Sequence, residues 1–181
     1  MNTALLLIDV QKGFEEPYWG ERNNPNAENN MERLLDRWRK LERSVIHVQH
    51  CSTEEKSPLR AGTRGNEFQD CVMPVDGEKV FTKSVNSAFI GTELENYLKE
   101  RGILTLVIAG LTTDHCVSTT TRMAGNLGFD VTLVSDATAC FDRIGFDGKA
   151  YRAEEIHNIH LASLNDEFCV VKNTKEVLNT I

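Results

Sequence analysis

Four stretches of this chain are apolar almost without interruption: Ala4 to Val10 (ALLLIDV), Val45 to Val48, Ile103 to Ala109 (ILTLVIA) and Val131 to Val134. Runs this short that fail to alternate with polar residues belong to strands buried on both faces. Glu78 to Thr82 and Phe168 to Val171 add two weaker strands. Between them, apolar residues recur at helical spacing. Met31 to Glu42 carries Leu34, Leu35, Trp38 and Leu41 on one face, with Asn30 in the capping position. Thr92 to Arg101 and Val117 to Leu127 are each stopped by a glycine, and Ala153 to Leu164 and Thr174 to Leu178 complete the helices. Strands alternating with helices predict a parallel sheet covered on both sides. Right-handed crossovers make it an α/β fold, an open, doubly wound, three-layer α/β/α sandwich. At 181 residues the chain reads as one domain, 1–181, with a core that needs no disulfide or structural metal.

The net charge of −7, with no basic stripe, argues against nucleic acid and anionic membrane as partners. No run approaches the roughly 18 apolar residues of a membrane span. The segment before ALLLIDV lacks the basic region and cleavage site of a signal peptide. Five widely spaced cysteines with no CxxC pair fit a reduced, cytoplasmic setting.

In a doubly wound sheet, ligands bind at the carboxyl ends of the strands. Asp9, Lys83 and Cys116 each lie at the carboxyl end of a different predicted strand and can converge there. Cys116 lies in Gly110-Leu111-Thr112-Thr113-Asp114-His115-Cys116-Val117, where strand passes to helix. If Thr113 or Asp114 caps that helix, the unpaired N–H groups of its first turn favour thiolate over thiol. Lys83 is expected to lower the thiol pKa further, and Asp9 to accept the thiol proton. A buried, inert cysteine is the alternative on these residues alone. His115 is a poor base, because neighbours on a helix point about 100° apart. His47 and His50 face opposite sides of their strand, so they cannot share one metal.

The segments 11–30 and 51–77 are long loops rich in turn residues, of the kind that form lids or contacts. Phe14 and Trp19 in the first loop, with Gln49 and Phe89, are the candidate pocket walls.

Leu7-Ile8-Asp9-Val10-Gln11 with Phe14, Lys83 followed by Ser87-Ala88-Phe89, and the Gly110–Val117 segment together resemble the isochorismatase-like cysteine hydrolases. The resemblance runs from Ala4 to about Val171. It implies a Rossmann-like, six-stranded parallel sheet and an Asp–Lys–Cys triad of Asp9, Lys83 and Cys116. It implies a cis peptide at Leu111–Thr112 and an oxyanion hole from the backbone amides of Thr112 and Cys116. Thr112 departs from the alanine often found there.

Nicotinamidases of the family bind a metal through Asp-x-His and a later His. The matching His50-Cys51-Ser52-Thr53-Glu54-Glu55 lacks that pattern, so no metal and no other cofactor is expected. Members that cleave the vinyl ether of isochorismate dispense with the cysteine. Its presence here favours C–N bond hydrolysis of a small amide, lactam or ureido compound through a thioester. The alternatives are an ether hydrolase with Asp9 as the acid, and a non-catalytic small-molecule-binding or thiol redox-sensing protein. A small-molecule substrate and a homodimer or homotetramer complete what the resemblance implies.

Overall fold

A computed structural model of the chain describes residues 2–181. Six parallel strands form the central sheet: β1 (Thr3–Ile8), β2 (Val45–His50), β3 (Lys79–Lys83), β4 (Thr105–Leu111), β5 (Asp130–Ala139) and β8 (Val170–Lys172). Their spatial order is β3-β2-β1-β4-β5-β8. The chain winds outward from β1 to one edge, then returns to β4 on the other side of β1. The reversal falls between β1 and β4, so a crevice opens at their carboxyl ends.

Continuous apolar strands feed two cores. Ala4, Leu6 and Ile8 of β1 point into one, against α2 (Leu94–Glu100), α3 (Ser118–Asn126) and α4 (Ala153–Leu164). Leu5 and Leu7 point into the other, against α1 (Ala27–Lys40) and α5 (Thr174–Thr180). Strand alternation thus splits one apolar run between both faces. Trp38 of α1 is fully buried in the second core, and its indole Nε1–H donates to the Thr3 carbonyl at 3.3 Å. No helix among the described residues is long and apolar enough to cross a membrane.

Helix α1 starts three or four residues before the expected Asn30 cap, at Ala27 after Asn26. Asn30 instead lies inside the helix and donates its amide to the Asp136 carbonyl at 2.8 Å. A tertiary partner outside the helix occupies the side chain that local pattern assigns to capping. Loop 11–30 is largely folded, with 3-10 turns at Lys12–Glu15 and Pro17–Trp19 and bridges from Gln11 to Phe68 and Arg22 to Phe141. A small antiparallel hairpin, β6 (Arg143–Ile144) with β7 (Ala150–Tyr151), is an addition that no apolar run announced.

Candidate active site

Lys83 is the last residue of β3 and sits in register with His50, the last residue of β2. Paired residues on neighbouring strands project to the same face, so both side chains reach toward the end of β1. There the chain leaves the sheet through Asp9, whose φ of 53° turns it sharply while its N–H still bonds the Val48 carbonyl. From the other side, β4 ends in a cis Leu111–Thr112 peptide and a single π-helical turn, Thr113–Val117, that carries Cys116.

The four side chains meet around one nitrogen. Lys83 Nζ donates to Asp9 Oδ2 at 2.7 Å, to His50 Nδ1 at 3.1 Å and to Cys116 Sγ at 3.3 Å. An ammonium has three donors, and all three have an acceptor. The Asp9 and Lys83 side chains have no exposed surface, and Cys116 is buried to 8% exposure. Oδ1 of Asp9 is buried without a hydrogen-bond partner among the described residues. One atom each from Asp9, His50 and Cys116 lie within 4.8 Å of one another, a set able to attract a metal. All three groups already face the ammonium, so a divalent ion drawn to them must displace it.

The thiol differs from the expectation. Burial, and then the negative charge of Asp9, push Cys116 far above the ordinary thiol range, and Lys83 offsets this only in part. Burial and the Asp9 charge both favour the protonated thiol over a standing thiolate in the free protein. Burial also raises the Asp9 carboxyl, against the pull of Lys83. Burial and the neighbouring Lys83 both lower His50, which is neutral at physiological pH.

The nucleophile turn is held from two sides. Thr113 Oγ1 bonds His157 Nδ1 at 2.9 Å, a buried histidine of α4. Asp114 takes Arg143 Nη2 at 2.9 Å and Nε at 3.0 Å from the hairpin. His115 is about half exposed, beside Asp114 and Arg143.

The cluster borders a pocket of about 210 Å³ that Cys116 and Thr112 help to line. Phe14, Trp19, His50, Glu54, Asn86 and His115 are among its walls. Trp19 is fixed by its Nε1–H to the Gly13 carbonyl at 2.8 Å and by rings of Phe14 and Phe141 at 5.0 and 5.7 Å.

The other two wall candidates lie elsewhere. Gln49 alternates with His50 along β2, so its side chain leaves by the opposite face and donates to the Asn66 carbonyl at 2.8 Å. Phe89 stacks on Phe129 at 5.9 Å and packs on the core beneath α2 and α3. His50, which was not among the candidate site residues, joins the cluster and lines the pocket. Its signal was its place at the end of β2, on the face opposite His47.

A family model described as the isochorismatase domain matches residues 3–176. The chain is 49% identical, over 97% of its length and 94% of the other protein, to the "uncharacterized isochorismatase family protein YrdC" of Bacillus subtilis (strain 168). A crystal structure of a putative hydrolase of the isochorismatase family from Chromobacterium violaceum superposes with a TM-score of 0.95 at 43% identity, covering 98% of this chain and 92% of that one. A cysteine hydrolase from Pseudomonas syringae pv. phaseolicola superposes with a TM-score of 0.89 at 25% identity, covering 98% and 91%.

Proposed function

The chain belongs to the isochorismatase family of hydrolases, and from that premise we propose that it is a cysteine amidohydrolase cleaving a C–N bond of a small amide, lactam or ureido compound. The observation that carries this reading is Lys83 Nζ between Asp9 Oδ2 and Cys116 Sγ, at 2.7 and 3.3 Å, beneath a pocket. The likeness to a protein described as a cysteine hydrolase supports the use of the sulfur.

The chemistry starts from thiol and carboxylate. As the substrate carbonyl arrives, the Cys116 proton passes to Asp9 and the sulfur attacks the carbonyl carbon. Lys83 holds its charge beside the forming thiolate. The backbone N–H groups of Thr112 and Cys116 receive the oxyanion. Asp9 then returns the proton to the leaving nitrogen, the C–N bond breaks and a thioester remains. Water, losing a proton to Asp9, attacks the thioester carbon. The acid departs and the thiol is restored. A raised carboxyl pKa suits Asp9 to both transfers, because its proton affinity lies closer to neutral pH. The assembly expected to perform this is a homodimer or homotetramer.

The test is a panel of small amides, lactams and ureido compounds against wild type, Cys116→Ala and Asp9→Asn, with mass spectrometry of acid-quenched protein. Turnover lost in both variants, with an acyl adduct on Cys116 in wild type, is the expected result. Full activity in Cys116→Ala would overturn the mechanism. Loss in Asp9→Asn alone, with isochorismate as substrate, would establish the ether hydrolase instead. A redox-sensing role requires an exposed, low-pKa thiol, and burial gives Cys116 the opposite character.

A further inference from the structure

His50 is fastened more firmly than a passing wall residue needs to be. Its N–H donates to Gln11 Oε1 at 2.9 Å, and its carbonyl accepts from Gln11 Nε2 at 3.0 Å and Asn66 Nδ2 at 2.7 Å. Gln11 is fully buried and Asn66 is 8% exposed. Gln11 Nε2 also reaches the Asn66 carbonyl at 2.8 Å, which closes the clamp. The backbone of one residue is thus held by two buried amide side chains.

The ring is fixed as well. Nδ1 faces Lys83 Nζ at 3.1 Å. An ammonium can only donate, so Nδ1 must present its lone pair and the ring proton must sit on Nε2. Nε2 has no protein partner among the described residues, and it is not one of the buried unpaired atoms. His50 lines the pocket beside Cys116. A residue that lines the pocket thus carries an oriented N–H donor with no acceptor among the described residues.

We propose that His50 is a substrate-recognition residue that donates its Nε2–H to a neutral acceptor of the substrate, a carbonyl oxygen or a ring nitrogen, with Lys83 setting the tautomer. Glu54 lines the same pocket, and its carboxylate would repel a carboxylate or phosphate held there. Lys83 thereby has two tasks, one toward the sulfur and one toward specificity. The inference deepens the amidohydrolase reading and rests on it for the location of the substrate.

The experiment needs no turnover. In the full chain labelled with ¹⁵N-histidine, long-range ¹H–¹⁵N spectra should show His50 with its proton on Nε2, assigned by its loss in His50→Asn. Protection of Cys116 from iodoacetamide by benzamide then measures recognition. His50→Asn can keep an acceptor for Lys83 but cannot reach the Nε2 position. It should weaken benzamide protection about three- to tenfold, the size of one hydrogen bond, measured against the same variant's own unprotected alkylation rate. His50→Gln, which returns an N–H to that position, should recover most of the loss. Protection by toluene, which has no acceptor, should be alike in all three proteins.

A proton on Nδ1, benzamide protection equal in wild type and His50→Asn, or an equal loss for toluene would each overturn the proposal. A protein that cleaves no amide yet gives the expected tautomer and protection loses the hydrolase reading alone. One that cleaves amides with the proton on Nδ1 loses the His50 inference alone.

Discussion

Asp9 gives one carboxylate oxygen to Lys83, at 2.7 Å from Nζ, and leaves the other buried without a hydrogen bond. A buried acceptor without a partner is costly, by about 1–3 kcal/mol. The Asp9 carboxyl lies within 4.8 Å of the Cys116 sulfur, which gives it a use as the seat of a travelling proton. Four consequences of the site and its supports are measurable.

Asp9→Asn removes the negative charge that, after burial, most raises the Cys116 thiol. Lys83 then acts on the sulfur unopposed. Alkylation of Cys116 by iodoacetamide at pH 8 should become faster by about tenfold, one pKa unit. Amide hydrolysis should be lost in the same variant. Slower alkylation in Asp9→Asn would show that Asp9 does not hold the thiol protonated.

Removing one member of a buried ion pair costs about 3–5 kcal/mol, while replacing both is far milder. Lys83→Met should therefore lower stability in urea unfolding by about that amount, moderated by protonation of the raised Asp9 carboxyl. The double variant Asp9→Asn with Lys83→Met should recover most of the loss while remaining inactive. Additive losses would mean that the two residues stabilise the fold independently.

Gly110 holds a φ of +135°, and a Cβ there would sit 2.6 Å from the Ile8 nitrogen and overlap the Ile8 carbonyl oxygen. The contact is backbone to backbone across β1 and β4, so neither side can yield cheaply. Gly110→Ala should cost about 3 kcal/mol or more and lower the melting temperature by about 6–12 °C. Because Leu111 and Thr112 follow directly, activity should fall even below the melting transition. A stable, active Gly110→Ala protein would refute this close approach.

Glu78 anchors the buried side of β2 to α1, through Arg39 at 2.8 and 3.0 Å and His47 at 2.8 Å. Burial pushes its carboxyl up, but these bonds outweigh burial and hold it at about 2, below the usual 4.5. A carboxyl depressed on folding stabilises the protein above its unfolded pKa and loses that effect as pH falls through the folded value. Glu78→Gln should cost about 1–3 kcal/mol at pH 7. The gap from wild type should shrink between pH 4.5 and about 2, as followed by urea unfolding at each pH. A gap independent of pH would assign the loss to packing instead.

Much of this arrangement was legible in the residues, for reasons that differ by element. Leu5, Leu6, Leu7 and Ile8 read as a strand because both faces of the sheet are covered, and each neighbour serves a different core. Asp9 and Lys83 stood out as charges where apolar strands end. Gln49 and His50 differ by one position, and strand alternation sends them to opposite faces, so the pocket takes His50 and not Gln49. Local helix charge, visible in sequence, favours the thiolate, whereas the burial that opposes it is a property of everything packed around Cys116. The Asn30 cap failed similarly, through its bond to Asp136, over a hundred residues away.

Lys83 closes β3, and β3 lies at the outer edge of the sheet, paired only with β2. A strand held along one side opens more readily than one held along two. An opening of β3 would withdraw the cation while β1 and β4 stay together, leaving a molecule folded by bulk criteria yet unable to react. Hydrogen exchange at the amides of β3 would measure how often this happens. If that share is sizeable, a strengthened edge should raise the active fraction without altering a single group that touches the substrate.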